Sequence, residues 1–341
     1  MTMSDVGRLA GGFHPSTVSL ALRNHPGISV VTRKLITRTA SKMGYRRDPL
    51  LDAFNRHRVS GLAHQAPRVI AFVSDFESKG DMEASARHRL FWKGGSAAAR
   101  TLRHGLEFFP LAPMGMSSKR LDAVLHARGI RGLVIGALRA ETASLNFTWD
   151  RYSTVKIECC RLGLPGYAVA AAYLRGGRAA FERMRSLGYR RIGLVTAKDM
   201  DVQRSDLLHA GILCEQAKLS IEERVPPLAM KAKHPAHSVS TWLQSYSVDA
   251  VLADQATFRR IAVAVGRARA RKLGWACLDV TEAAPEAAGI VVDYERMGAV
   301  AVEQVVSLMR VHQRCHPSEA STTFVSAGWR EGKTLPLKSI L

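Results

Sequence analysis

Acidic residues are scarce in this chain: 29 Asp and Glu stand against 49 Lys and Arg, for a net charge of +20 and a pI near 10.3. That imbalance excludes a cationic partner as the main one and points to a polyanion, without by itself choosing among DNA, RNA and an anionic membrane surface. Cysteines are few: Cys159, Cys160, Cys214, Cys277 and Cys315 form no even, closely spaced framework, so reduced thiols in a cytoplasm are expected. The vicinal pair Cys159-Cys160 reads as two small core hydrophobes at the end of a strand. No apolar run of about eighteen residues is present to span a bilayer, and the N-terminus has no basic-then-apolar signal pattern, so a cytoplasmic protein without a membrane partner is expected. Enzyme signatures are also missing. There is no phosphate-binding G-x-x-x-x-G-K-[ST], no G-x-S-x-G elbow and no H-E-x-x-H, and His234-x-x-His237 has no third ligand in its neighbourhood. The expectation is a non-enzyme with no catalytic residue, no cofactor and no metal.

What is present is an ordinary globular composition, 47% hydrophobic and 23% charged, over 341 residues, enough for two or three units. The basic excess is dense at the start: residues 1–64 carry ten Lys/Arg against three Asp. It also continues through the rest of the chain, beyond what a plain ligand-binding domain requires. Within the basic segment, the stretch from His14 to Asn24 has Pro15 where a first helical turn tolerates it, and Val18, Ala21 and Leu22 at i, i+3, i+4. Ser16, Thr17, Ser19 and Arg23 fall on the other side, and short hydroxyls allow a helix backbone close to phosphates and base edges. A surface amphipathic helix would show the same pattern; the neighbours decide. Ser4 and Asp5 are placed to cap a helix carrying Val6, Leu9 and Ala10, and Gly11-Gly12 predicts a turn with Phe13 as an apolar plug. Ser29 predicts the N-cap of a third helix through Val31, Leu35, Ile36, Thr39, Ala40 and Met43, ended by Gly44. Three short helices with apolar faces inward make an all-α helix-turn-helix head.

These residues resemble the DNA-binding head and hinge of the LacI/GalR family of bacterial transcription regulators. The match is carried by Asp5-Val6, Leu9-Ala10-Gly11, Thr17-Val18-Ser19, Leu22, Asn24-His25-Pro26, Thr32-Arg33, Ala40, Gly44-Tyr45 and Pro49-Leu50. The resemblance implies a homodimer whose two heads enter successive major grooves of a near-palindromic operator. It places His14, Pro15, Ser16 and Leu20 at or beside the base edges, Thr17, Ser19, Asn24 and Tyr45 on phosphates, and Ala53-Phe54 where the hinge wedges into the minor groove. Two departures stand out. Leu20 occupies a position where the family often reads guanine with Arg, so contact with a thymine methyl, or with nothing, is expected. The spacing from Asp5 to Ser19 is one residue longer than usual, with the extra residue placed near Gly11-Gly12.

Three units follow: a head over 1–46, a basic hinge or linker over 47–64, and a core over 65–341. From Pro67 strands and helices alternate, beginning with the apolar run Val69–Val73 before Ser74-Asp75, which predicts an α/β core of two doubly wound parallel-sheet lobes. Helices are expected near 89–104, 117–128, 174–187, 205–218, 236–245, 256–272 and 294–312. Strands are expected near 106–111, 133–135, 155–157, 191–195, 223–228, 249–253, 275–278 and 289–292, with a second series opening near Tyr167. The resemblance extends to Ser186–Val195, Ala288-Gly289-Ile290, Gly298 and Gly328–Gly332, and implies a core similar to periplasmic sugar-binding proteins. Lobe 1 is expected at about 65–163 plus 291–325, and lobe 2 at about 164–290 plus 326–341.

Ligands of such folds sit at the carboxyl ends of the strands. Asp75, Trp92, Arg161, Arg204, Asp254 and Asp279 are the candidates there for a small, sugar-like effector, each having a plain scaffold role as its alternative. The family's effector-gripping Arg is Leu208 in this chain, with Arg204 one turn earlier, and an acidic residue after the strand near Val169 is replaced within Ala170-Ala171-Ala172. The expected function is a sequence-specific transcriptional regulator, a repressor modulated by that effector. The alternative is an effector-independent DNA-binding protein whose core only dimerises.

Overall fold

The computed structural model describes residues 2–22, 27–45, 68–111, 117–136, 138, 145–158, 164, 166–197, 202–230, 236–313 and 321–338, the side chains of 202–205 and 236 excepted. The chain forms two compact units, Met1–Ala66 and Pro67–Leu341.

In the first unit α1 is Met3–Leu9, α2 is Pro15–Leu22 and α3 is Val30–Lys42. The cap of α1 lies earlier than expected. Thr2 accepts from the Asp5 amide at 3.3 Å while Asp5 accepts from the Thr2 amide at 2.9 Å, a reciprocal box that satisfies two orphan donors. Gly11 and Gly12 both take positive φ, 116° and 83°, so the turn has room for the additional residue that the spacing indicates. That turn closes onto the Gly7 carbonyl, which accepts from Gly12 at 3.0 Å and Phe13 at 2.9 Å. Ser29 caps α3 through the Thr32 amide at 3.1 Å, and Gly44 at φ 65° ends it. Val6, Ala10, Val18, Ala21, Ile36 and Ala40 are buried together, with Phe13, Leu22, Met43 and Tyr45 packed around them. Leu9, Val31 and Leu35 instead face outward, 64%, 78% and 47% exposed. Helical geometry explains this: Ile36, Ala40 and Met43 recur at the i, i+4, i+7 positions of one face, which leaves Val31 and Leu35 off the seam.

The second unit contains two sheets among its described residues. In the first, the order is β11-β5-β4-β3-β1-β2, all parallel. Its strands are β1 Arg68–Ser74, β2 His104–Pro110, β3 Gly132–Ile135, β4 Ser153–Ile157, β5 Tyr167–Ala171 and β11 Thr322–Val325. The second runs β12-β10-β9-β8-β6-β7, from β6 Ile192–Ala197, β7 Leu228–Met230, β8 Ala250–Ala253, β9 Gly274–Cys277, β10 Ala288–Val292 and β12 Ala327–Arg330. Here β12 lies antiparallel to β10, a departure from the all-parallel expectation. Buried on both faces, the central strands are continuous apolar runs.

Three further differences have local causes. The strand near Tyr167 pairs with β4 and β11 and so completes the first sheet, rather than opening the second lobe. Pro226-Pro227 lack amide donors and cut the strand expected at 223–228 down to β7, preceded by a short 3-10 turn at Ile221–Glu223. Gly266, at φ 81°, splits the helix expected at 256–272 into Gln255–Val265 and Arg267–Ala270.

The helices are α4 Lys79–Ala84, α5 Ala86–Thr101, α6 Ser118–Ala127, α7 Tyr173–Ser186, α8 Val202–Gln216, α9 Ala236–Ser245, α10 Gln255–Val265, α11 Arg267–Ala270 and α12 Tyr294–Arg310. The chain passes between sheets at Ala172, Asp293 and Ser326. Each lobe is held by a helix pair whose backbones touch. A Cβ on Gly94 of α5 would lie 1.8 Å from the Glu295 carbonyl oxygen of α12, and one on Gly298 would lie 2.0 Å from that of Phe91. The α7–α8 pair repeats the device, since a Cβ on Gly211 would meet the Leu174 carbonyl oxygen at 2.2 Å.

Two outcomes follow from this packing. Gly298→Ala should lower stability by roughly 1–3 kcal/mol, because backbone rather than a yielding side chain opposes the added methyl; urea unfolding midpoints measure it. Glu215 of α8 is buried, which alone would raise its carboxyl, but hydrogen bonds from Lys218 and from Arg178 (2.6 Å) hold it below the ordinary value. Its folded-state value is therefore depressed, so its contribution is present above the unfolded carboxylate range and is lost as the pH falls through the folded value. A Glu215→Gln variant should accordingly lose stability at neutral pH and converge with the parent in acid, as thermal melts across pH would read.

Candidate functional site

In the head, α2 turns two of its faces in different directions. Val18 and Ala21 seal the core, while His14 and Ser16 are exposed and Pro15, Thr17, Ser19 and Leu20 are half-buried. The start of the helix is shaped by His14, whose Nδ1 lies 2.8 Å from Ser16 Oγ and accepts from the Ser16 amide at 3.4 Å. Ser16 and Leu20 are one turn apart and so share a face, a hydroxyl beside an apolar group. No acidic residue stands in the first turn of α2, leaving its helix-dipole end open to an anion. Tyr45 leans on the head core after the α3 terminus, its amide donating to the Ala40 carbonyl at 2.9 Å. Asn24, Ala53 and Phe54 lie outside the described residues, as does the whole of the 47–64 hinge.

In the second unit the carboxyl ends of the described parallel strands carry five acids: Asp75 after β1, Glu158 after β4, Asp254 after β8, Asp279 after β9 and Asp293 after β10, the last capping α12 through the Arg296 amide at 2.8 Å. Asp75, Asp254 and Asp279 were expected from their positions; Glu158 and Asp293 were missed, although a place directly behind Ile157 or Val292 is the same signal. Glu158 also adopts φ 56°, a left-handed conformation uncommon for a side chain of this size.

Asp254, Asp279 and Glu158 are engaged by the protein itself, and Asp75 keeps its Oδ1 buried. Asp254 caps α10, accepting from the Thr257 amide at 2.8 Å and hydroxyl at 2.7 Å. Asp279 accepts from the Thr281 amide at 2.9 Å and from the hydroxyl of buried Tyr294 at 2.5 Å. Glu158 accepts from the Tyr173 hydroxyl and lies 3.5 Å from the Arg87 guanidinium. Glu282 reaches from the 3-10 turn after β9 to the first amide of α5, accepting from Ala86 at 3.2 Å. That last contact supplies what α5 lacks locally, because its N-cap Ser85 makes no side-chain cap bond and instead pairs with His88 Nδ1 at 2.9 Å. Glu282 and Asp279 belong to the second lobe, Ala86 and Tyr294 to the first, so both bonds bridge the lobes.

Trp92 lies on α5, its ring edge-on to Phe72 at 5.7 Å with Lys79 Nζ 4.6 Å over it. Leu208 is fully buried, and its backbone supports the close approach to Gly177 of α7, so this position serves helix packing. Arg161 lies outside the described residues, and Arg204 is in α8 without a described side chain. Among the described residues no group of three His, Cys, Asp or Glu is placed to hold a metal ion. No described helix is long and apolar enough to cross a membrane.

No protein-family model matches the chain, and no functionally curated sequence matches it. Solved structures do. The transcriptional regulator CelR in complex with cellobiose is similar over 97% of this chain and 98% of its own, at 17% identity and a TM-score of 0.55. The Lac repressor dimer bound to operator and the anti-inducer ONPF is similar over 98% and 99%, at 14% identity and 0.55. A periplasmic binding protein/LacI transcriptional regulator from Alkaliphilus metalliredigens, complexed with D-xylulofuranose, covers 79% of this chain and 99% of its own, at 12% identity and 0.52. The fold is thus a helix-turn-helix head joined to two α/β lobes of the periplasmic-binding-protein kind. It is the fold of LacI-family transcriptional regulators.

The inter-lobe bonds can be tested directly. Removing the hydroxyl in Tyr294→Phe strands the Asp279 acceptor in a half-buried place and should cost about 1.5–3 kcal/mol, the range for hydrogen bonds to charged groups. Thermal melts of the full chain measure it, and an unchanged midpoint would show that water replaces the hydroxyl without loss.

Proposed function

We propose that this protein is a sequence-specific DNA-binding transcriptional regulator of the LacI family, a homodimeric cytoplasmic repressor and not an enzyme. The observation that carries the reading is the α2 surface: a proline-started helix seated on a three-helix core by Val18 and Ala21, with Ser16 and Leu20 directed away from it in a strongly basic segment. Likeness to the CelR and Lac repressor folds supports it. In this reading His14, Pro15, Ser16 and Leu20 approach base edges, and Thr17, Ser19, Asn24 and Tyr45 hold phosphates. Ala53-Phe54 forms the minor-groove wedge of a hinge spanning 47–64, which folds on DNA.

The core, over 65–341, dimerises and takes a sugar-like effector between its lobes, near Asp75, Trp92, Arg161, Arg204, Asp254 and Asp279. An effector there shifts the operator affinity only by as much as its own affinity differs between the two states, and DNA shifts the effector's affinity by the same factor. A second reading, an effector-independent regulator whose core only dimerises, is favoured by one specific observation: Asp254, Asp279 and Glu158 already have internal donors. Thermal-shift screening of the full chain against sugars separates the two, since a ligand of the folded state raises the midpoint.

The DNA reading has its own test. Binding to a duplex selected by the protein from a random pool should weaken linearly in log–log against salt, with a slope near −0.9 for each phosphate neutralised. Leu20→Ala should reduce the preference for the selected sequence several-fold while leaving affinity for unrelated duplex unchanged. A flat salt response, or no selectable sequence at all, would remove this function.

A further inference from the structure

The basic excess outside the head has a structural location. Between Gln255 and Leu278 the chain contains no acidic residue, and it carries Arg259, Arg260, Arg267, Arg269, Arg271 and Lys272. Arg267, Arg269, Arg271 and Lys272 sit on α11 and the turn that follows it, all exposed, immediately before β9. Sheet register brings a fifth cation to the same edge. Ile192 opens β6 beside Ala250, and Ala250 pairs with Gly274 at the start of β9. Asp249 therefore lies between two basic flanks: its carboxylate accepts from the Arg190 amide at 2.9 Å and its carbonyl accepts from the Gly274 amide at 3.0 Å. Arg190 is exposed.

The acid at this edge does not neutralise those cations. Asp249 is occupied by the amides of Arg190 and Arg191 and by Lys338 Nζ at 2.6 Å. Among the described residues, the side chains of Arg190, Arg267, Arg269, Arg271 and Lys272 make no ion pair and no hydrogen bond. Like charges gathered without counter-charge repel one another, and the folded chain is stabilised there by whatever anion covers them. The edge is the amino-terminal one of the second sheet, opposite the carboxyl ends that carry Asp254 and Asp279, so it is separate from the inter-lobe cleft.

We propose that this pole of the second lobe binds the phosphate backbone of a second segment of duplex DNA, without reading its sequence, so that one molecule can join two duplex segments. The chemistry favours duplex over a lipid surface. Four of the five groups are guanidinium forks, suited to paired phosphate oxygens, and the exposed large apolar side chains nearby, Val263 and Leu337, are too few to enter a bilayer. The choice of DNA as the polyanion rests on the proposed function; the pole itself does not.

The test uses the full chain. Protein is loaded on an immobilised duplex, and capture of a second, labelled duplex of unrelated sequence is followed against salt. The wild type should capture it, and the variant carrying R190Q, R267Q, R269Q, R271Q and K272Q should lose capture about tenfold or more. Its capture slope should shrink by up to about 4.5, at about 0.9 for each of five phosphate contacts. A second variant, R267K with R269K and R271K, keeps the charge and should retain most of the capture, which excludes misfolding as the cause. Capture equal in the glutamine variant and the wild type overturns the proposal, as does pole-dependent binding to phosphatidylglycerol vesicles with none to duplex. Failure of the wild type to load on the first duplex would instead refute the DNA-binding reading of the head.

Discussion

The second unit is organised by how briefly its chain travels between sheets. Ala172, Asp293 and Ser326 are each the only residue separating an element of one lobe from an element of the other. So short a connection cannot let the sheets turn apart freely. It holds the carboxyl ends of β1 and β9 toward each other, close enough for Glu282 to reach Ala86 and for Tyr294 to reach Asp279. Asp75, Glu158, Asp254 and Asp279 all sit behind strands on this side, where doubly wound topology gathers the carboxyl ends.

Much of this arrangement was legible in the residues because local and tertiary preferences agree. Pro15 opens α2, Ser29 caps α3, Gly44 closes it, and the apolar runs of β1, β3 and β8 are buried where they were expected. The errors fall where pairing partners decide. Nothing within Tyr167–Ala171 says that its neighbours are β4 and β11, and nothing local says that β12 runs against β10. Pro226-Pro227 and Gly266, by contrast, are breakers visible in the sequence itself, and each cuts its element short. Glu158 follows a strand just as Asp75, Asp254 and Asp279 do, but the two cysteines directly after it make that strand end read as an apolar core segment.

The head and the core use opposite means to position functional groups. In the head a small apolar cluster of Val6, Val18, Ala21, Ile36 and Ala40 fixes a helix whose first turn carries short hydroxyl side chains and no acid. In the core Asp254 and Asp279, behind their strands, already accept hydrogen bonds from Thr257, Thr281 and Tyr294 of the chain itself. A molecule entering there must offer donors at least as well placed as Tyr294 and Thr257, because exchange of equal hydrogen bonds yields little net free energy.

The glycine contact between α5 and α12 adds a mechanical consequence. Helices meeting through side chains can slide by changing rotamers, but Gly94 and Gly298 leave main chain against main chain, with no soft layer between. The two rods therefore translate as a single piece. Because α5 begins at the amide held by Glu282, and α12 begins at the Tyr294 that holds Asp279, a push on either end arrives at both.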